Sequence, residues 1–187
     1  MILLKKLISL CRLFADDTSF SYSSVDESQI KTVIDHDLEK LDEWSRQWLM
    51  CFNPNKTEIM MFSNTKVPDL HLSLNDQDIP ITTSHKRLGV TFSSDAKWNT
   101  QIENILATVS KHVNVLRKLK YRICRNNLEK LYLVYIRPLF EYACEVWDNC
   151  GVVNSTKLEQ LQLEAARIIT GLPIFAKSDL VYEEIGC

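Results

Sequence analysis

Two adjacent aspartates separate a pair of short apolar runs near the start of the chain. The first run occupies residues 8–14, and in the second, residues 20–22, a serine stands between two aromatic residues. Such runs on either side of a short polar break predict a β-hairpin, in which two strands are joined by a tight turn. Asp16 and Asp17 are therefore expected at the tip of a hairpin, next to apolar strands.

The paired carboxylates allow two interpretations. Asp is a common turn residue, so the tip could be an ordinary acidic turn. Alternatively, a cation would relieve the repulsion between the two negative charges, and Mg²⁺ is bound in proteins through carboxylate oxygens. The residues around Asp16 and Asp17 leave both interpretations open.

A long amphipathic helix is predicted over residues 26–49. Its apolar residues recur at steps of three and four, the period of one helix face. They are Ile30, Val33, Ile34, Leu38, Leu41, Trp44 and Trp48. The sequence Ser-Val-Asp-Glu at residues 24–27 predicts a capping box at the start. The apolar face is expected to cover the sheet that contains the hairpin.

Short strands are predicted after this helix. One covers residues 57–62, directly after Lys56. A small hairpin follows over residues 70–81, where apolar residues alternate on both sides of a polar turn. A third strand is predicted from Arg87 to Phe92. It contains Gly89, which within a strand often marks a bulge or a close approach of the backbone.

The second half of the chain is predicted to be helical. Apolar residues repeat every three or four positions over residues 98–119, 128–136 and 158–169. Ser94 or Asp95 is expected to cap the first of these helices. Pro138 should end or kink the second, and Gly171 is a typical stop for the third.

Charge is distributed unevenly along the 187 residues. The formal net charge is −2, yet residues 111–137 contain eight basic residues and one acidic residue, a local charge of +7. The basic residues are Lys111, Arg117, Lys118, Lys120, Arg122, Arg125, Lys130 and Arg137. A basic segment in a neutral chain is typical of a surface that binds a phosphate backbone. A solvated helix face is the alternative interpretation.

Other features of the composition exclude several classes of site. The six cysteines form no C-x-x-C pair and have no histidines at zinc-finger spacing, so they are interpreted as free thiols of an intracellular protein. No apolar run is long enough for a membrane span. In residues 1–14, lysines and an arginine interrupt the apolar run, which disfavours a signal peptide.

Several motifs, taken in order, resemble the reverse transcriptases of non-LTR retrotransposons. They are Phe-Ala-Asp-Asp at residues 14–17, the helix with two tryptophans, Phe-Asn-Pro-Asn-Lys-Thr-Glu at residues 52–58, and Lys-Arg-Leu-Gly-Val at residues 86–90. Residues 135–143, with Glu-Val-Trp at residues 145–147, resemble the region after the thumb of these enzymes. Each motif is weak by itself, but their shared order and spacing is specific.

The resemblance implies an α+β fold. Residues 1–93 would form part of a polymerase palm, with the catalytic β-hairpin, its covering helix and a small antiparallel sheet. Residues 94–187 would form a helical thumb and the region after it. The implied partners are an RNA template and a DNA primer, paired as a hybrid, with no membrane and no stable protein partner.

The resemblance also assigns roles to residues. Asp16 and Asp17 would be catalytic metal ligands for Mg²⁺, with Asp16 the better candidate for direct contact. Lys56 would protonate the leaving pyrophosphate. Leu88, Gly89 and Val90 would form the primer grip, which holds the growing DNA end. Nucleic-acid binding is expected of Lys111, Arg117, Lys118, Lys120, Arg122 and Arg125.

Activity of the chain alone is not expected. Polymerase chemistry uses two metal ions about 4 Å apart, which act on the attacking and the leaving oxygens. Residues 1–15 contain no Asp or Glu, so the resembling enzymes' earlier catalytic aspartate, their fingers and their nucleotide-selecting helix would all precede Met1. The sequence thus predicts an inactive, marginally stable fragment of such an enzyme. A non-catalytic nucleic-acid-binding module or a structural remnant is the alternative.

Overall fold

The computed structural model describes residues 7–15, 17–63, 70–75 and 77–185. Within them the chain is a mixture of helices and small sheets, which agrees with the expected α+β class. It divides into two compact units, Met1–His85 and Lys86–Cys187. Each unit has its own hydrophobic cluster and is described separately.

The predicted first hairpin is present. Strand β1 (Leu10–Phe14) pairs antiparallel with β2 (Asp17–Ser21), and Phe14 lies opposite Asp17. Among the residues that the structure describes, β1 and β2 form a sheet of two strands only. Leu10, Leu13 and Phe14 remain more than half exposed.

The helix α1 (Glu27–Trp48) confirms the predicted range, but its start differs from the expected capping box. The N-cap is Asp26, whose carboxylate accepts a hydrogen bond from the backbone N–H of Ser28 at 2.9 Å. Ser24 instead donates its hydroxyl hydrogen to the side chain of Gln29 at 2.6 Å. A carboxylate at the cap also interacts favourably with the partial positive charge of the helix N-terminus.

The apolar face of α1 covers a different strand pair from the one expected. Ile34 and Leu38 pack against a buried cluster in the segment after the helix: Leu70, Leu72, Leu74 and Ile79. Trp48, placed on this face by its spacing, is 54% exposed because it lies at the helix end.

The remaining strands of the first unit are short. After a 3₁₀ turn (Pro54–Lys56), β3 (Ile59–Met60) pairs in parallel with β6 (Ile81–Thr82). Between them, β4 (Ser73–Leu74) and β5 (Gln77–Asp78) form the predicted small hairpin. The expectation of one small antiparallel sheet is therefore wrong in detail, because the described strands pair two by two and one pair is parallel.

The predicted continuous strand from Arg87 to Phe92 is also wrong. The structure forms a hairpin, β7 (Ser84–Arg87) and β8 (Val90–Ser93), and the chain reverses at Leu88 and Gly89. Both turn residues have positive φ, 47° and 81° respectively. This is the backbone that a two-residue hairpin turn of type I′ requires. Gly89 therefore lies in a turn, whereas a close backbone approach or a bulge within a strand was expected.

Helices form the rest of the second unit. They are α2 (Asn99–Leu119), α3 (Arg125–Leu131), a π-helical turn (Tyr132–Ile136), α4 (Arg137–Glu141), α5 (Cys144–Trp147), α6 (Val152–Thr170) and α7 (Ser178–Ile185). Neither Ser94 nor Asp95 caps α2, since its N-cap is Trp98. Gly171 does end α6, with a φ of 77°.

The core of the second unit lies between these helices. Ile102, Val109 and Val113 of α2 are at most 1% exposed and pack in one cluster with residues of α6 and α7. Tyr132 and Ile136 enter the same cluster. Tyr135, expected on their face, is 61% exposed, because the π-helical turn shifts the side chains that follow α3.

Candidate functional site

The acidic hairpin tip is only partly described. Asp17 is the first residue of β2 and is exposed, while Asp16 lies outside the described residues. Nowhere in the described part of the chain do three or more His, Cys, Asp or Glu residues come together in a group that could hold a metal ion. The described residues therefore do not form a complete Mg²⁺ site by themselves.

A buried carboxylate supports the approach to this hairpin. Asp37 of α1 is 2% exposed and accepts two backbone hydrogen bonds from the residues that lead into β1. The N–H of Ile8 lies 3.0 Å from Oδ1, and that of Ser9 lies 2.7 Å from Oδ2. His36 Nδ1 lies 3.0 Å from the same Oδ1. Asp37 thus connects the covering helix to the segment that enters the hairpin.

Asp37 is ionised in this environment. Burial raises the pKa of its carboxyl group, but hydrogen bonds from Ser9, Ile8 and His36 outweigh burial, and the net pKa is lowered from 3.8. Burial raises the pKa of the nearby Cys11 thiol, and the negative charge of Asp37 raises it further. The Asp37 shift thus follows from hydrogen bonds to a buried carboxylate, and the Cys11 shift follows first from burial of the thiol and then from the nearby negative charge.

Sequence reasoning missed Asp37, although a signal was present. Asp37 stands four residues after Val33 and four before Leu41, both of which are buried. Positions four apart share a helix face. A charged residue in the middle of an apolar face needs a buried partner.

Lys56 is exposed at the end of the 3₁₀ turn. Asn53 stabilises this turn through one side-chain and one backbone hydrogen bond. Its side-chain oxygen accepts a hydrogen bond from the N–H of Asn55 at 3.0 Å, and its backbone carbonyl accepts one from the N–H of Lys56 at 3.1 Å. The asparagine in the Asn-Pro-Asn-Lys motif therefore has a structural role, which is to place Lys56 at a defined position on the surface.

The predicted primer-grip residues form the β7–β8 turn and the start of β8. Val90 is 5% exposed and belongs to the interior, while Leu88 is 45% exposed. The hydroxyl group of Tyr142 donates a hydrogen bond to the carbonyl oxygen of Leu88 at 2.6 Å. The Tyr142 ring also lies against Gly89. Tyr142 was part of the motif at residues 135–143, but nothing in that motif indicated its partner.

The strand β8 is held by α2 as well. The N–H of Thr91 donates to the side-chain oxygen of Gln101 at 2.8 Å, and both residues are buried. Phe92 packs against Trp98, with ring centroids 5.6 Å apart. The β7–β8 hairpin is therefore supported at β8 by contacts with Gln101 and Trp98 and at its turn by Tyr142.

The basic segment divides into paired and unpaired residues. Arg117 forms an ion pair with Glu164, which joins α2 to α6. Arg125 pairs with Glu184 of α7 at 2.9 Å, and Arg137 pairs with Glu141 at 2.5 Å. All three arginines are partly neutralised. Arg117 and Arg125 are paired with glutamates of other helices and Arg137 with one in its own helix, α4.

The other predicted binding residues keep their charge available. No carboxylate in the described part of the chain pairs with Lys111, Lys118, Lys120 or Arg122. Lys111 and Lys118 are exposed and seven residues apart on α2, so they share one face. Beyond the end of α2, Tyr121 is 89% exposed, and Lys120 Nζ lies 5.8 Å from its ring centroid.

A cleft of about 400 Å³ lies beside this segment, between α2 and α6. Three cationic side chains, Arg117, Lys120 and Arg167, line it together with the carboxylate of Glu164. Its charge is therefore net positive, which favours an anionic group such as a phosphate.

None of the helices in the described ranges is long and apolar enough to span a membrane.

Comparison with known proteins supports the resemblance seen in the motifs. The chain is 22% identical over 181 residues to "Probable RNA-directed DNA polymerase from transposon X-element" of Drosophila melanogaster. It is 21% identical over 183 residues to "Probable RNA-directed DNA polymerase from transposon BS" of the same organism. It is 22% identical over 185 residues to "RNA-directed DNA polymerase from mobile element jockey" of Drosophila funebris.

Each of these matches covers 95% of this chain and 20% of the relative. The chain thus spans about a fifth of the length of the curated relatives it matches. The expected resemblance to the reverse transcriptases of non-LTR retrotransposons is confirmed. No protein-family model matches the chain, and no solved structure matches it.

Proposed function

We propose that this chain is part of a retrotransposon reverse transcriptase and contributes to RNA-templated DNA synthesis in the parent enzyme. The observation that carries the proposal is the agreement between the ordered motifs and three polymerase relatives that match 95% of the chain. Residues 1–93 would be the end of the palm, and residues 94–187 the thumb and the region after it.

In this proposal the palm portion, residues 1–93, contributes to nucleotidyl transfer. Asp16 and Asp17 provide carboxylates at the hairpin tip. Lys56, placed by Asn53, acts as the general acid that protonates the leaving pyrophosphate, a role suited to a lysine near developing phosphate charge. Leu88, Gly89 and Val90 contact the primer strand. Mg²⁺ would be held by Asp16 and Asp17 together with further oxygen ligands.

Substrate binding is assigned to the second unit. The available cations of α2 and the following turn, Lys111, Lys118, Lys120 and Arg122, would contact the phosphates of an RNA–DNA hybrid. Such contacts release counterions, so binding should weaken steeply as salt rises. Arg117 and Arg125 contribute less than their charge suggests, because both are held in ion pairs with glutamates of other helices.

The 187 residues alone should bind a hybrid without extending it. Two-metal chemistry holds both the attacking and the leaving oxygens, and the carboxylates of Asp16 and Asp17 would supply only some of the oxygen ligands that two ions need. Primer extension with template, primer, triphosphates and Mg²⁺ tests this point, with Asp16→Asn as the matched variant. Extension by the wild-type chain that is lost in Asp16→Asn would show that the chain is itself a polymerase.

A non-catalytic nucleic-acid-binding module is the second candidate. The unpaired cations on α2 favour it over a purely structural remnant. Fluorescence anisotropy with a labelled RNA–DNA hybrid at low salt distinguishes these possibilities, since a remnant should not bind. Equal affinity for the hybrid and for a single strand would favour a general binding module over a polymerase fragment.

A further inference from the structure

The turn between β7 and β8 has a backbone that its sequence does not favour. Both of its residues have positive φ, and the first of them is a leucine. Asn or Gly is the usual choice at such a position, because a side chain with a Cβ crowds the following carbonyl oxygen. An additional interaction is therefore needed to hold Leu88 at a φ of 47°.

Tyr142 supplies this interaction through two contacts. Its hydroxyl group donates to the Leu88 carbonyl oxygen at 2.6 Å. Its ring occupies the space beside Gly89, since a Cβ on Gly89 would lie 2.9 Å from Cε1 of the ring. The hydrogen bond holds the orientation of the peptide group after Leu88. The ring fills the space into which the turn could otherwise move.

Tyr142 is itself held by the helical core. Its backbone carbonyl accepts a hydrogen bond from Nε1 of Trp147 at 3.1 Å, and Trp147 is 5% exposed. Its N–H donates to the carbonyl of Pro138 at 3.0 Å. The side chain nevertheless remains 55% exposed, as Leu88 is at 45%. A rigid support is thus combined with an accessible turn.

We propose that Tyr142 is a positioning residue, which holds the Leu88–Gly89 turn in the conformation that contacts the 3′-terminal nucleotide of the primer. The inference rests on the proposed function, in which this turn is the primer grip. Tyr142 acts through the backbone of the turn and does not itself touch the primer. Loss of its hydroxyl group should therefore loosen the contact at the primer terminus and leave phosphate binding on α2 intact.

The test uses the 187-residue chain and two RNA–DNA hybrids, each with the fluorescent base 2-aminopurine in the primer. In one hybrid the probe is at the primer terminus, and in the other it is about ten nucleotides from the terminus. Wild type is expected to change the fluorescence of the terminal probe and not of the internal one. Tyr142→Phe should lose at least half of the terminal change, with hybrid affinity by anisotropy altered less than twofold. Tyr135→Phe, which alters another exposed tyrosine, should behave like wild type.

A rescue variant separates positioning from direct contact. Asn adopts positive φ more readily than Leu, so Leu88→Asn in the Tyr142→Phe background should restore the terminal signal. Absence of rescue, or a full terminal signal in Tyr142→Phe alone, overturns the inference. Wild type that binds the hybrid without any terminal signal contradicts the primer-grip assignment itself, and wild type that does not bind contradicts the proposed function. Circular dichroism melting of each variant confirms that it is folded.

Discussion

The carboxylate of Asp37 accepts the backbone N–H of Ser9 at 2.7 Å, in a position where neither residue is exposed to water. This contact connects the middle of α1 to the segment just before β1. Side-chain packing contributes little to this connection, because the apolar residues of the hairpin are largely exposed. The segment that leads into the acidic hairpin is therefore bound to α1 through one charged group.

Replacing Asp37 with asparagine should lower stability. The amide keeps the size of the side chain, but it removes the charge and leaves one of the two backbone N–H groups facing an NH₂ group. An unsatisfied buried donor costs about 1–3 kcal/mol, and the free energy of unfolding in urea should fall by that amount. Asp35→Asn on the same helix is the control. Equal effects of the two substitutions would contradict the role of Asp37.

Stability should depend on pH through the same group. The pKa of Asp37 is lower in the folded chain than its ordinary value of 3.8. Its contribution is therefore complete above that value and is lost as pH falls through the lower folded pKa. Unfolding free energies measured from pH 6 down to pH 2 should fall more steeply for wild type than for Asp37→Asn. Asp26, whose pKa is lowered by hydrogen bonds from Ser28, contributes equally to both curves. Parallel curves would show that Asp37 is not the titrating group.

Gly89→Ala should cost more stability than Gly171→Ala. Both glycines have similar positive φ, 81° and 77°, so both substitutions carry a backbone strain of about 1–2 kcal/mol. Only at Gly89 would the new Cβ meet another group, the Tyr142 ring at 2.9 Å, whereas nothing lies within 4 Å at Gly171. The difference between the two variants in thermal or urea unfolding measures the tyrosine contact. No difference would mean that the ring moves away without cost.

Lys118→Ala should weaken binding to an RNA–DNA hybrid and reduce its salt dependence. Each phosphate contact contributes about 0.9 to the slope of log K against log salt for B-form DNA, so the slope should fall by about one unit. Lys31→Ala is the matched control, because it removes the charge of an exposed lysine on α1. Anisotropy titrations between about 50 and 200 mM salt, a range over which such affinities fall steeply, give the comparison. The assignment of α2 as the binding face fails if both variants give the same slope.

The long helices were predictable because their signals are local. In α1 and α2 the spacing of apolar residues reports which face is buried, and Gly171 ends α6 where a glycine with positive φ was expected. The first hairpin was predictable for the same reason, since its alternation and polar tip lie within fifteen residues. The motif order that connects the chain to polymerases is likewise a property of the sequence alone.

Contacts between distant residues were not predictable from these signals. Leu88-Gly89 was expected inside a strand, because β-propensity does not encode the tyrosine 54 positions later that holds it as a turn. The role of Asp37 was not predicted, since its two donors are backbone groups 28 and 29 residues earlier. Tyr135 was placed in the core because a π-helical turn cannot be read from a regular period.

The sequence alone determined the class of fold, the principal helices and the family resemblance, because each depends on residues close together or on their order along the chain. The tertiary structure decided which charges are available and which are committed to partners. It paired Arg117 and Arg125 with glutamates far away in sequence and left Lys111 and Lys118 on an open helix face. Ion pairs and buried hydrogen bonds depend on distances in space, and those distances exist only once the chain is folded.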